Sequence, residues 1–155
     1  MTTRVPQEIN NTNFYERDYY LWLNKMVQLL RDDQLSELDK LNLIEELKDM
    51  GRSEKRAIKS NLTVLLMHLL KTKYQPEKRS KSWSRTIVEH RRRLLILLED
   101  SPSLKNYLQE VFSNSYQAAR QDAATETQLP LTTFPVDCPF SSENILNPNY
   151  LPNEE

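Results

Sequence analysis

Glycine is almost missing from this sequence: 155 residues contain one, Gly51. No other feature limits the fold as much. Rossmann fingerprints, P-loops and kinase-type loops each need several glycines where backbone approaches phosphate, so nucleotide binding through them is excluded. No segment alternates apolar and polar residues long enough to make a strand, whereas apolar residues recur at steps of three and four along most of the chain. The expected class is all-α, with four to five main helices.

From Tyr15, Tyr19, Trp22, Leu23, Met26, Leu29 and Leu30 mark an amphipathic helix, with Asp18 as an acid near its start. A second stripe runs through Leu35, Leu38, Leu41, Ile44 and Leu47, and a third through Ile58, Leu62, Leu65, Leu66, Leu69 and Leu70 to near Lys73. Gly51 lies between them, where glycine costs about 0.5–1 kcal/mol relative to alanine inside a helix. It could cap one helix, with Ser53 opening the next. Against that, Arg52 offers no apolar contact back to the helix, as a Schellman motif would. Leu47 and Ile58 are also in phase, since eleven residues turn a helix by about 1100°, within roughly 20° of the same face. One long central helix from near Leu38 to Lys73 is therefore expected. Gly51 would lie where Tyr19 or Trp22 presses on the backbone, and Glu54, on the same stripe, would be partly buried with a tyrosine or arginine partner. A bulky residue at position 51 would then destabilise the fold, while alanine would be mild.

Pro76 in "KYQPEKRSKS" marks a loop, and Ser80 or Ser82 can cap the helix that carries Trp83, Ile87, Leu94, Leu95, Leu97 and Leu98. The loop is short, so the flanking helices should form an antiparallel hairpin, with His68 level with Val88. The same construction around residue 35 sets Tyr19 and Tyr20 close to Gly51. Ser101 with Pro102 is expected to open a further helix that fades near Thr127. Five of the eight prolines follow from Pro130 on. That segment should be an irregular strap, 128–155, packed on the helices through Leu131, Phe134, Val136, Phe140, Ile145 and Leu146, with a short helix at "SENIL". Residues 1–13 lack periodicity and form a loose arm. The whole, 1–155, is expected to be a single helical domain, a length that buries roughly 70% of its unfolded surface.

The segments "YERDYYLWL", "NLIEELKDMGRSEKRAIKSNLTVLLMHLLK", "YQPEKRSKSW", "LLEDSPSL", "FPVDCPF" and "NILNPNYLP" stand in the order seen in a bacterial family common in cyanobacteria. The chain resembles that family, catalogued as domain of unknown function 29, along nearly its whole length. The resemblance implies an all-helical cytoplasmic bacterial protein and carries over no activity and no catalytic residue.

Little in the sequence supports catalysis. The two histidines, His68 and His90, lack the glutamate three residues earlier that a di-iron bundle uses. Glu45, Glu46, Asp49 and Glu54 are conceivable magnesium ligands, but a solvated acidic face is the simpler reading. His68, in "VLLMHLLK", is expected to be half-buried, neutral and hydrogen-bonded; His90, beside three arginines, is expected at the surface. Cys138, the single cysteine, precludes an internal disulfide and has no histidine near it in sequence. The longest apolar runs are far below the roughly 20 residues of a membrane span, and no secretory signal is visible at the start. The expectation is a cytoplasmic chain with no cofactor, no metal and no membrane.

Charge is the strongest functional signal. The net value is −1, yet residues 48–93 carry 14 Lys/Arg and four acids, while the flanks are acidic. Internal or solvated pairing is the plain reading of that block, and an acidic protein partner or nucleic acid the sharper ones. Tyr74 and Trp83 beside "QPEKRSKS" suit base stacking, but a pI near 6.2 does not suit nucleic acid. The leading expectation is a small non-enzymatic helical interaction module that binds an unidentified protein partner or forms a homodimer. The alternative is a nucleic-acid-associated protein, a regulator or a metal-dependent nuclease-like enzyme. Candidate binding residues are Glu46, Arg52, Glu54, Arg56, His68, Lys78, Arg79, Trp83 and Arg85.

Overall fold

The computed structural model describes residues 11–152. Among them it contains helices and turns and no strand. The helices are α1 (Asn11–Arg17), α2 (Tyr19–Arg31), α3 (Lys40–Tyr74), α4 (Lys81–Asp100), α5 (Leu104–Thr127) and α6 (Ser142–Leu146). Single 3₁₀ turns stand at Leu35–Glu37, Pro76–Lys78 and Leu131–Thr133. The chain divides into two compact units, Met1–Arg52 and Ser53–Glu155.

In the first unit the helix expected from Tyr15 is two helices. Asp18 leaves helical backbone at φ −150°, and its carboxylate accepts from the Leu21 N–H to open α2. Three side chains of α2 are buried, Trp22, Met26 and Leu29, with Phe14, Tyr15, Leu23, Leu38 and Leu43 packed around them. α2 closes in a Schellman motif. The Asp33 N–H reaches the Leu30 carbonyl, the Gln34 N–H reaches the Leu29 carbonyl, and Asp33 takes φ 54°. The position that glycine usually occupies is aspartate. Of the loose arm expected over 1–13, residues 1–10 lie outside the described residues, and Asn11–Asn13 begin α1.

α3 runs unbroken through Gly51 for 35 residues. The long central helix is therefore present, but the reason proposed for its glycine is not. Gly51 is exposed, and a Cβ added there would meet nothing within 4 Å. Glu54 is exposed and has no hydrogen bond or ion pair among the described residues. Tyr19 meets Glu46, more than one turn short of Gly51. The linker explains the offset. Leu38 packs on the buried residues of α2, and Trp22 Nε1 donates to Asp39 at 3.1 Å, so α3 begins level with Trp22 instead of Arg31.

The second unit holds the main core. The α3 side chains Ile58, Leu62, Leu65, Leu66, Leu69 and Leu70 have no exposed surface. They pack with Ile87, Leu94 and Leu98 of α4 and with Leu108, Tyr116, Ala119 and Ala123 of α5. Ser80 caps α4 by accepting from the Trp83 N–H. α3 and α4 form the antiparallel hairpin, joined by His90 to Asn61 and by Trp83 to Lys71. Val88 is 59% exposed, because pairing by height ignores the face that a residue occupies. Ile87, Arg91, Leu94 and Leu98 take the inward side. Ser101 does not open α5 as expected. It closes α4, and the helix begins at Leu104 after a turn through Pro102 and Ser103.

The strap packs on this unit. Phe134, Phe140 and Ile145 are buried and "SENIL" is helical, while Val136 stays 66% exposed. Its carbonyls, which lack a ladder or helix to satisfy them, are met by side chains. Arg120 Nε donates to Phe134 O at 2.9 Å, Gln117 Nε2 to Val136 O at 2.9 Å, and the Tyr116 hydroxyl to Pro135 O. Buried Arg91 spreads its fork over Ile145 O at 2.7 Å, Tyr150 O at 3.0 Å and Pro148 O at 3.5 Å. A buried guanidinium is tolerated because its planar donors find acceptors in different directions.

Candidate functional site

The candidate residues fall into separate places. Glu54 and His68 share α3, whose rise of 1.5 Å per residue separates them by about 21 Å. They cannot hold one ion. Among the described residues no three His, Cys, Asp or Glu side chains gather as a metal site would require. Glu45 pairs with Lys48 and Asp49 with Arg52, each within α3.

Glu46 is the acceptor of two phenols, Tyr15 and Tyr19, one on each carboxylate oxygen. That contact pushes the Tyr15 hydroxyl up to about 12 and raises Tyr19 as well, because a phenol bonded to a carboxylate resists losing its proton. The rings of Tyr15, Tyr19 and Trp22 lie 4.9–6.1 Å apart. With the two phenols on Glu46, the cluster is a clasp between α1, α2 and α3.

His68 is half-buried, and its Nδ1 donates to the Val64 carbonyl at 3.0 Å. Burial holds its pKa below the usual value, and Lys71 adds to that. His90, expected at the surface, is partly buried too. Asn61 gives its amide to Ala57 O, so its Oδ1 faces His90 and accepts from Nδ1 at 2.7 Å. Burial lowers this ring's pKa as well. Both histidines are neutral and held by neighbours, as structural histidines are. Cys138 is part-buried with its thiol toward Phe140 O, and burial raises its pKa, which disfavours the nucleophilic thiolate.

The aromatic rings of the basic block are occupied. The Lys71 ammonium sits 4.5 Å above the Trp83 ring and 2.7 Å from Glu126, and Tyr74 meets Phe134 edge-on at 5.7 Å. Each ring thus has a neighbour within the fold. Lys71–Glu126 is the one ion pair between different helices among the described residues, and there it is the one direct pairing of the basic block with an acidic flank. Arg56, Lys59, Lys78, Lys81, Arg85 and Arg92 are exposed and have no acid within ion-pair distance among those residues. Arg79 reaches the Thr72 carbonyl at 3.5 Å. Arg56 and Lys59 are exposed on α3, and Arg85 and Arg92 on α4.

The first unit has a different surface. Tyr19, Tyr20, Leu21, Val27, Leu30, Leu35, Leu41, Ile44, Leu47 and Met50 are each between 45% and 80% exposed. Ten of the large apolar side chains that meet solvent lie in this one stretch of helix and turn. The ion pair at Lys71 and the strap-holding role of Arg91 were not among the candidates. Arg91 had a signal, since it stands at the helical spacing of Ile87, Leu94 and Leu98 and so falls on the apolar stripe.

No curated protein and no solved structure matches the chain. No helix among the described residues is long and apolar enough to cross a membrane. A family model covers residues 14–151, nearly everything just described, and the chain therefore belongs to the family described as Domain of unknown function DUF29.

Proposed function

We propose that the chain is a small, non-enzymatic, cytoplasmic helical module that binds protein. The observation that supports this is the exposed apolar surface of α2 and the first turns of α3. Leu41 at 80%, Met50 at 65% and Leu47 at 61% are far more open than single scattered apolar residues require. Exposed apolar surface concentrated in one stretch of chain is a mark of binding sites. The separation of Glu54 from His68 along α3 supports the same reading, since a catalytic site needs such groups to converge.

The test is site-specific photo-crosslinking. Leu47 is replaced by p-benzoylphenylalanine, and Glu110, exposed on α5, is replaced likewise as the control. Irradiated extracts of the native cell should yield protein adducts from position 47 and none from position 110. A second change, Ile44→Lys, at an exposed residue one turn from position 47, should remove them. Equal yields at both positions, or none at either, would overturn the interaction role. Gel shifts at graded salt address the nucleic-acid alternative, because phosphate binding must weaken steeply as salt rises.

A further inference from the structure

We infer that the partner of this surface is a second copy of the same chain, seated antiparallel on α3 about a two-fold axis at Leu47. The inference rests on the interaction role proposed above and names its occupant. Lys40, Ile44, Leu47, Gly51 and Glu54 follow one another along α3 at alternating steps of four and three, the spacing of a coiled-coil seam. All five are exposed, and the next residue in phase, Ile58, has no exposed surface. The seam thus continues the core stripe of α3 into a stretch that nothing described covers.

Its composition matches itself when reversed. With Leu47 on the axis, Lys40 of one copy stands opposite Glu54 of the other, because each lies seven residues from Leu47. Both are exposed, and neither has an ion pair or hydrogen bond among the described residues. The two-fold forms this pair twice. Ile44 falls opposite Met50 and Gly51, and the missing Cβ at Gly51 leaves room for the incoming side chain. Isologous contacts of this kind close at two copies and do not propagate. Lys48, which flanks the axis, is already paired with Glu45. The arrangement accounts for two features that the single chain leaves unused: a glycine on an open helix face and an acid without a partner on an apolar stripe.

Sedimentation of the purified full chain over a concentration series tests it. The expected mass at high concentration is twice 18.4 kDa. Leu47→Glu should yield the monomer at every concentration, while Leu41→Glu, more exposed still but off the seam, should not. Lys40→Glu and Glu54→Lys should each weaken the dimer about tenfold or more, since each puts like charges opposite one another. The double variant should restore it, which only the stated register predicts. Circular dichroism melts of all variants, taken at a dilution at which the parent is monomeric, should match the parent, because every substituted residue is exposed. A parent chain that stays monomeric at about 100 μM, or a charge swap that fails to restore the dimer, overturns the inference. Crosslinks from position 47 to a protein of another mass would overturn it too, while leaving the interaction role standing. No crosslinks at all would end both.

Discussion

The two units use the same kind of helix in opposite ways. In the second unit the α3 stripe from Ile58 to Leu70 is shielded by α4, α5 and the strap, and its side chains have no contact with water. In the first, the same helix, α2 and the turn between them bury three side chains and leave ten large apolar ones exposed. Amphipathicity decides that a face will seek cover. It does not decide whether the chain itself supplies that cover. Most helical stability comes from tertiary packing of the apolar face, so the first unit should be the weaker of the two when the chain is alone.

The largest expected effect probes the stronger unit. Arg91→Ala removes the donor shared by three strap carbonyls and should cost about 4 kcal/mol, since buried acceptors are left without partners. Urea unfolding measures it, and Arg91→Lys should recover only part because it lacks the fork. Trp22→Ala follows, at about 3 kcal/mol, and its loss should be local. Amides of 19–31 should lose their exchange protection while those of 58–70 keep theirs. If both regions lose protection together, the contrast between the units fails.

Smaller changes sharpen it. Gly51→Ala, measured at a dilution that keeps the chain monomeric, should stabilise α3 by about 0.5–1 kcal/mol, since the added methyl meets nothing within 4 Å. Asp33→Gly should add about 0.5 kcal/mol at the end of α2 by relieving the left-handed backbone at φ 54°. Thermal midpoints should rise for both. The least effect is in pH. His68 and His90 have folded pKa values below 6.5, so the unfolded chain binds more protons and stability falls as pH drops below that value. Both rings are partly exposed, which keeps the slope shallow. Replacing both histidines with glutamine should flatten stability against pH on the acid side of 6.5.

Local features were legible in the sequence where their causes are local. Ser80 caps α4 because its hydroxyl reaches an amide three residues on, and "SENIL" is helical behind the cap of Ser141. The phase of Leu47 and Ile58 predicted that α3 passes through Gly51. The start of α5 was misplaced because Ser101 lies in a favourable local pattern, yet its amide closes α4 on the Leu97 carbonyl while its own carbonyl accepts from the Leu104 N–H. Arg91 was missed because its charge outweighed its position on the stripe. The places where helices meet depended on how far each linker runs back. The Leu38–Asp39 segment moved Tyr19 from Gly51 to Glu46.

By itself, then, the sequence determined the helices, their phases and the apolar character of the strap, because hydrogen bonds and side-chain period act over three or four residues. Only the tertiary structure decided which part of the α3 stripe is covered and that Arg91 holds the strap. It also decided that Glu46 is clasped by two tyrosines while Glu54 has no hydrogen bond or ion pair among the described residues. Burial depends on residues far apart in the chain arriving at the same place, and no short-range pattern records that arrival.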